Sequence, residues 1–283
     1  MRNPSNQTLP TRLSTLEDET LSFPILQQVS PNQVQLAFMA ANFKSINLNE
    51  MDSVALLDRV DTKFGMTVSQ LVAFLPELRG DYRMLNIQGQ RMQKYHTLYF
   101  DTAGFDLFNL HINERADQYK VRIREYASTN QAFLEVKHKT KKGRTVKNRV
   151  VLDGAMPILG KDEMDWLSGY LPQPYLELEP TLMNTFTRVV LVDKSLTERI
   201  TLDIAINFSS GWNVISADQV VVAEVKQNNP HQPSHFLERM HHSHLRPTGF
   251  SKYCIGVSLL YDQVKINPLK SKLLWMEKVN GGN

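Results

Sequence analysis

Lysine and arginine recur at every second position in several short stretches of this chain. In Tyr119–Tyr126, Lys120, Arg122 and Arg124 alternate with Val121 and Ile123; in Phe133–Lys139, Glu135, Lys137 and Lys139 follow Phe133 on one side, with Leu134 and Val136 on the other. Lys147 and Arg149 oppose Val150 and Leu152, and Glu224 and Lys226 oppose Val221, Ala223 and Val225. The longest alternation sets Arg199, Thr201, Asp203 and Asn207 against Ile200, Leu202, Ile204, Ile206 and Phe208. Successive side chains of a strand point to opposite faces, so each stretch has a charged face and an apolar one. Alternate cations then stand about 6 to 7 Å apart, close enough to follow a linear polyanion over several phosphate units. Arginine offers a bidentate fork for phosphate and lysine a movable point charge. Cations packed this densely repel one another unless an anion lies among them. The chemistry that fits is the binding of a linear phosphate anion. Glu224, beside Lys226, suits a divalent ion bridging phosphate oxygens, Mn²⁺ or Mg²⁺. An ion pair with a neighbouring cation fits its spacing equally well.

An antiparallel sheet with one wet face would also alternate in this way. Two features speak for a polar interior instead: many strands agree, and cations outnumber carboxylates on the charged faces, where a solvated face mixes both signs.

The elements that must position these residues follow from periodicity. Period-two runs near 59–66, 82–87, 92–101, 118–126, 132–140, 144–153, 184–192, 198–209 and 219–226 predict about nine strands. Short polar connections such as Ser128-Thr129-Asn130 and Lys141-Lys142-Gly143 favour hairpins and an antiparallel sheet. Helices are predicted over 33–43, 161–171, 233–242 and 251–264, and after Thr67, which with Gln70 has capping-box spacing ahead of Leu71, Phe74, Leu75 and Leu78. The fold class is α+β: an antiparallel β-barrel of eight or nine strands, closed or nearly so, with flanking helices. Residues 1–30 read as a loosely ordered arm, 31–265 as the main domain and 266–283 as a C-terminal tail, with no internal repeat.

Composition excludes several classes. The single cysteine, Cys254, rules out an intramolecular disulfide framework and a cysteine-based zinc site and suits a reducing cytoplasm. No run approaches the length of a membrane helix, and Met1–Pro10 has no signal-peptide apolar segment. The net charge of +3 is modest and aromatic residues do not interleave with the basic ones, which argues against nucleic acid. His231, His235, His241, His242 and His244 lack metal-site spacing and read as surface.

Taken in order, Arg59-Val60-Asp61-Thr62-Lys63, Tyr99-Phe100-Asp101-Thr102, Lys120-Val121-Arg122-Ile123-Arg124-Glu125-Tyr126, Phe133-Leu134-Glu135-Val136-Lys137-His138-Lys139, Lys147-Asn148-Arg149, Arg199-Ile200-Thr201-Leu202-Asp203, Ala223-Glu224-Val225-Lys226 and Ser251-Lys252-Tyr253-Cys254 resemble the successive motifs of the VTC domain. That domain is the polyphosphate-polymerase branch of the triphosphate tunnel (CYTH-like) metalloenzymes. The resemblance implies a β-barrel tunnel that transfers the γ-phosphoryl group of ATP to a polyphosphate chain with Mn²⁺ or Mg²⁺. It implies Lys63, Arg122, Arg124, Lys137, Lys147, Arg149, Arg188, Lys226 and Lys252 around the phosphates and Glu224 on the metal; of these we read Arg122, Arg124, Lys137 and Arg149 as catalytic clamps, and the alternation adds Lys120 and Lys139 as phosphate ligands. Arg188 shares its face with Phe186 and Val190, and the family pattern has Tyr where Phe186 stands; Lys252 rests on the resemblance alone. Eukaryotic members carry a phosphate-sensing SPX module and membrane helices. This chain has neither, so a stand-alone bacterial type is expected, with any membrane partner separate. A triphosphate hydrolase on the same fold, with Asp61, Glu135 or Asp203 activating water, and a non-catalytic polyphosphate binder remain as alternatives.

Overall fold

The computed structural model describes residues 7–8, 31–52, 60–154, 157–229 and 231–281. The expected N-terminal arm, apart from Gln7 and Thr8, lies outside the described residues, as does Arg59. In chain order the elements are β1 (Gln7–Thr8), α1 (Pro31–Ala41), β2 (Lys44–Ile46), α2 (Leu48–Asp52), β3 (Val60–Thr67), α3 (Val68–Phe74), β4 (Tyr82–Leu85) and β5 (Gln93–Asp101). Next come α4 (Asp106–Ile112), β6 (Gln118–Tyr126), β7 (Gln131–Lys139), β8 (Thr145–Leu152), α5 (Lys161–Ser168), β9 (Glu179–Asp193) and β10 (Glu198–Ser210). The chain ends with β11 (Asn213–Ala217), β12 (Val220–Gln227), α6 (His235–His242), α7 (Lys252–Leu260) and α8 (Lys270–Gly281).

All nine expected strands are present, and the class is α+β. One sheet runs in the order β1-β8-β7-β6-β5-β9-β10-β12-β3, with β11 on β10 and the β2–β4 pair on β9. Pairing is antiparallel except for β1–β8 and β2–β4. The expected barrel wall is therefore a long strip whose ends, among the described residues, do not pair with each other. Five strands lie between β3 and β7 in this order, which in a flat sheet would hold them roughly 29 Å apart. Yet Lys63 on β3 acts on the charges of Lys120 on β6 and Lys137 on β7, an influence that does not reach far beyond about 10 Å. The strip curls until its two ends face each other.

The convex side is covered by helices. Phe64, Met66, Ile200, Leu202, Val221, Ala223 and Val225 pack on Leu36 of α1, Leu71 and Phe74 of α3, and Phe236 and Met240 of α6. Val121, Ile123, Leu134, Val136 and Val150 pack on Leu107 of α4 and Leu167 of α5. The Thr67–Gln70 capping box is formed in both directions, Gln70 N–H donating to Thr67 Oγ1 at 3.1 Å and Thr67 N–H to Gln70 Oε1 at 2.9 Å.

Part of the concave side is apolar, and there α7 fits. Tyr99, Leu182, Phe186, Ile206 and Phe208 pack on Tyr253, Cys254, Ile255 and Val257. Gly256 permits this approach: a Cβ there would stand 2.6 Å from Leu182 Cδ2 and Phe208 Cδ1. A β-bulge corrects the alternation read along β10. Register shifts between Ile204 and Asn207, and Ala205 takes a left-handed φ of 49°. Asp203 pairs with Arg188 and Phe208 with Asn184, and residues 188 and 184 share the concave face of β9. Phe208 thus faces inward with Asp203, whereas Asn207, opposite Thr185, faces outward. Two helices carry no strong sequence signal. The start of α4 is capped from a distance: Asp101 accepts from Leu107 N–H at 2.8 Å and Phe108 N–H at 2.9 Å, and Tyr253 O–H donates to the same carboxylate. The tail contains α8, which buries Met276 and lays Trp275 over Gly65.

Candidate phosphate site on the concave face

Register decides which side chains meet on the concave face. Lys63 stands opposite Glu224, and Asp61 opposite Lys226; Arg188 opposes Asp203. On the other flank Arg122 opposes Glu135 and Lys120 opposes Lys137, while Glu135 and Lys137 meet Arg149 and Lys147 across β8. Each of the expected site residues on these strands therefore occupies the concave face. Lys252 joins them because α7 is seated in the curl and its first residue points at β9 and β10.

Three carboxylates organise six of the cations into groups of two cations and one anion. Glu135, 1% exposed, accepts from Arg122 Nε at 2.7 Å and Nη2 at 2.6 Å, and Lys147 Nζ closes on its other oxygen. Asp203 accepts a bidentate pair from Arg188, Nε at 2.6 Å and Nη2 at 2.8 Å, and also pairs with Lys252. Glu224 lies 2.7 Å from Lys226 Nζ and 3.7 Å from Lys63 Nζ; Lys226 also reaches Asp61 at 3.2 Å. Burial pushes all three carboxyls toward higher pKa, but their cations outweigh it. Glu135 and Asp203 are held well below the usual carboxylate range, and Glu224 falls to about 2. All three are ionised at neutral pH.

A second set of cations has no carboxylate within ion-pair distance among the described residues. Arg124, 8% exposed, donates to Thr97 Oγ1 at 3.4 Å and lies 5.6 Å from the centroid of Tyr95 and 6.0 Å from that of Phe186. Lys120 and Lys137 sit side by side. Burial, with Lys63 and Arg122 adding repulsion, lowers Lys120 to about 8; burial, with Lys120 and Lys63 adding, does the same to Lys137. Lys139 and Arg149 lie at the exposed margin, where the Arg149 guanidinium stacks 4.7 Å from the centroid of Phe133.

The aromatic contribution had no reading from sequence. Phe186 packs under Arg188 and Lys252, at 5.3 and 4.4 Å from the ring centroid, and Tyr95 stacks on Phe186 at 5.1 Å. Quadrupolar faces attract these cations without neutralising them, so a phenyl ring at 186 holds two cations without a hydroxyl. The available signal was the run Gln93, Tyr95, Thr97 and Tyr99, one face of β5.

No group of three His, Cys, Asp or Glu residues suited to a metal occurs among the described residues. Of the surface histidines, His235 lies 3.4 Å from Glu238 and 3.7 Å from Asp81. Glu224 is thus a single carboxylate ligand, and a divalent ion there needs phosphate and water oxygens to complete its shell. No described helix is long and apolar enough to cross a membrane.

Several solved structures resemble this one at low identity. A candidate adenylyl cyclase from Hippeastrum, described as having a dominant triphosphatase activity, is 16% identical; the match covers 72% of this chain and 98% of that one, with a TM-score of 0.45. A candidate adenylate cyclase from Vibrio parahaemolyticus is 13% identical over 68% and 94% of the two chains, with a TM-score of 0.38. The PH1012 protein of Pyrococcus horikoshii is 10% identical over 71% and 99%, also with a TM-score of 0.38. No curated protein sequence matches the chain. The model of the VTC domain matches residues 58–261, which takes in every strand from β3 to β12, the cations of the concave face and α7, and the chain belongs to the VTC domain family.

Proposed function

We propose that the concave face binds the phosphates of ATP and of a polyphosphate chain and transfers the γ-phosphoryl group to the chain end, with a divalent ion. The observation that carries this reading is the division of the cations. Six are partnered by internal carboxylates, while Arg124, buried, and Lys120 and Lys137, half-buried, lie beside them without one. Unneutralised buried cations cost stability, and a linear phosphate anion supplies the missing charge. The partnered groups then act as a rigid frame: Glu135 fixes the plane of Arg122, and Asp203 fixes that of Arg188. Guanidinium groups held in place stabilise charge on a transferring phosphoryl group without reorganising. Arg122, Arg124, Lys137 and Arg149 take the clamp roles in this reading. Lys63, Lys120, Lys139, Lys147, Arg188, Lys226 and Lys252 hold the chain, and Glu224 contributes one ligand to a metal arriving on the phosphates. Such an ion, bound, neutralises charge on the phosphate oxygens.

An ionised phosphate acceptor needs no general base, which favours transfer over hydrolysis here. Glu135 and Asp203, each clamped by two cations and held far below the usual range, are poor bases for activating water. Incubating the protein with ATP and Mn²⁺, then resolving products on a polyphosphate gel, tests the proposal. ADP with chains longer than the substrate supports it; orthophosphate released one for one with ADP transfers the claim to a hydrolase, and no ATP consumption leaves only binding.

A further inference from the structure

Tyr99 stands on the concave face of β5, opposite Arg122 of β6, and is 4% exposed. Its ring packs against α7, 5.0 Å from the centroid of Tyr253, in the apolar cluster that also holds Phe108 and Leu182. Its hydroxyl lies among cations: Arg122 Nη1 donates to it at 3.4 Å, and the charges of Arg122, Arg124 and Lys252 all act on it. Burial pushes the phenol up, but these three outweigh it and hold it below its usual value. Other phenols have an oxygen to donate to. Tyr82 O–H donates to Glu198 at 2.6 Å, Tyr261 O–H to the Thr181 carbonyl at 2.7 Å, and Tyr253 O–H to Asp101. Tyr99 receives a hydrogen bond and, among the described residues, gives none. A buried hydroxyl that does not donate forfeits a bond it made to water in the unfolded chain, and guanidinium and ammonium groups have no lone pair to offer it. Nor does Arg122 depend on the contact, since Glu135 already takes its Nε and Nη2 at 2.7 and 2.6 Å.

We infer that Tyr99 is a phosphate ligand, its hydroxyl donating to an oxygen of the anion drawn in by Arg122, Arg124 and Lys252. The inference rests on the phosphate-binding reading above and adds a neutral donor to that site. An oxygen gathered by cations carries the negative charge that makes it a strong acceptor, and a hydrogen bond from O–H to such an oxygen is short and roughly twice as strong as a neutral one. With its ring packed against Tyr253, Tyr99 fixes the place of one phosphate oxygen, where a lysine supplies a movable point charge.

Tyr99→Phe keeps the ring and removes the donor. Calorimetry with tripolyphosphate on the wild type, Tyr99→Phe, Arg122→Lys and the double variant tests the inference. The expected result is an affinity roughly 10-fold or more weaker in Tyr99→Phe, and a loss of the same size, within about twofold, when Arg122 is already Lys. Equal affinity for wild type and Tyr99→Phe overturns the inference and leaves the phosphate-binding reading intact. So does a loss that vanishes in the Arg122→Lys background, since Tyr99 would then act through Arg122 alone. The wild type alone supplies a second measurement: tripolyphosphate should shift the tyrosine absorbance to the red as the phenol becomes a donor. Absence of that shift, or a tyrosinate band at neutral pH before ligand is added, overturns the inference, because a phenolate has no proton to donate. Failure of the wild type to bind tripolyphosphate removes both readings.

Discussion

At the scale of single residues, the concave face separates cations that are spoken for from cations that are not, and substitutions should separate in the same way. Arg124→Ala and Lys137→Ala remove positioned charge without orphaning a carboxylate. Each should lower turnover by roughly 100-fold or more with the fold retained, read from steady-state kinetics and circular dichroism. Arg122→Ala should behave differently, since it leaves Glu135 buried with Lys147 alone. Breaking a buried pair from one side costs about 3 to 5 kcal/mol, so a denaturant melt should show a loss of that order besides any loss of activity. The lysines also predict a pH dependence. Lys120 and Lys137 titrate near 8, against 10.5 when solvated. The unfolded chain therefore holds more protons between those values, and these two groups make the unliganded protein more stable as pH rises through that window. A bound polyanion favours their charged forms. Tripolyphosphate should therefore bind with proton uptake near pH 8 and weaken as pH rises further, which calorimetry in buffers of different ionisation enthalpy will register. Most of the residues in this account were legible from alternation, because charge on every second position is a local pattern. Their division into partnered and unpartnered was not, because it depends on which strands become neighbours: Arg188 and Asp203 lie 15 positions apart in the chain and directly opposite in the sheet.

At the scale of elements, strands were easier to read than helices. Every period-two run became a strand, since burial of one face by covering helices imposes that period directly. α4 escaped because its cap, Asp101, sits five residues before it begins, beyond the reach of capping-box spacing. α8 escaped for lack of a sharp apolar stripe; only Met276 is buried along it. The bulge at Ala205 was invisible for a different reason, since nothing in Ile204-Ala205-Ile206 marks a change of face. Its effect is a change of phase within one strand, which lets the first half of β10 present Asp203 to the cations and the second half present Phe208 to α7. Deleting Ala205 should restore simple alternation, turn Phe208 outward, and unseat α7 with its Lys252. The seat itself can be tested more gently: Gly256→Ala places a methyl group against Leu182 and Phe208, an overpacking that costs about 1 to 3 kcal/mol. A thermal melt should show the loss, and Leu182→Ala in the same chain should recover part of it by making room.

At the scale of the whole molecule, repulsion among Lys63, Lys120 and Lys137 on the concave face is relieved by a bound anion. A ligand bound solely by the folded state at about 100 times its Kd adds about 2.7 kcal/mol, enough to raise the melting temperature by a few degrees in a protein this large. Tripolyphosphate should do so well beyond sulfate at equal ionic strength, and Arg124→Ala combined with Lys137→Ala should remove most of the difference. If the two anions act alike, the concave charge is ordinary solvated surface. A sheet whose end strands do not pair with each other, among the described residues, has a mechanical consequence too. A closed barrel is a hoop, its girth set by the number of strands and their stagger, and it resists any change of radius. A strip is a leaf spring: its radius follows from the balance between packing on the convex side and repulsion on the concave side. Lys63 on β3 repels Lys120 on β6 and Lys137 on β7 across the concave face, and this repulsion opposes the packing that curls the strip. A polyanion laid between the ends reverses the sign of that force, and the protein should tighten around its cargo, with spin labels on β3 and β8 drawing closer as tripolyphosphate binds.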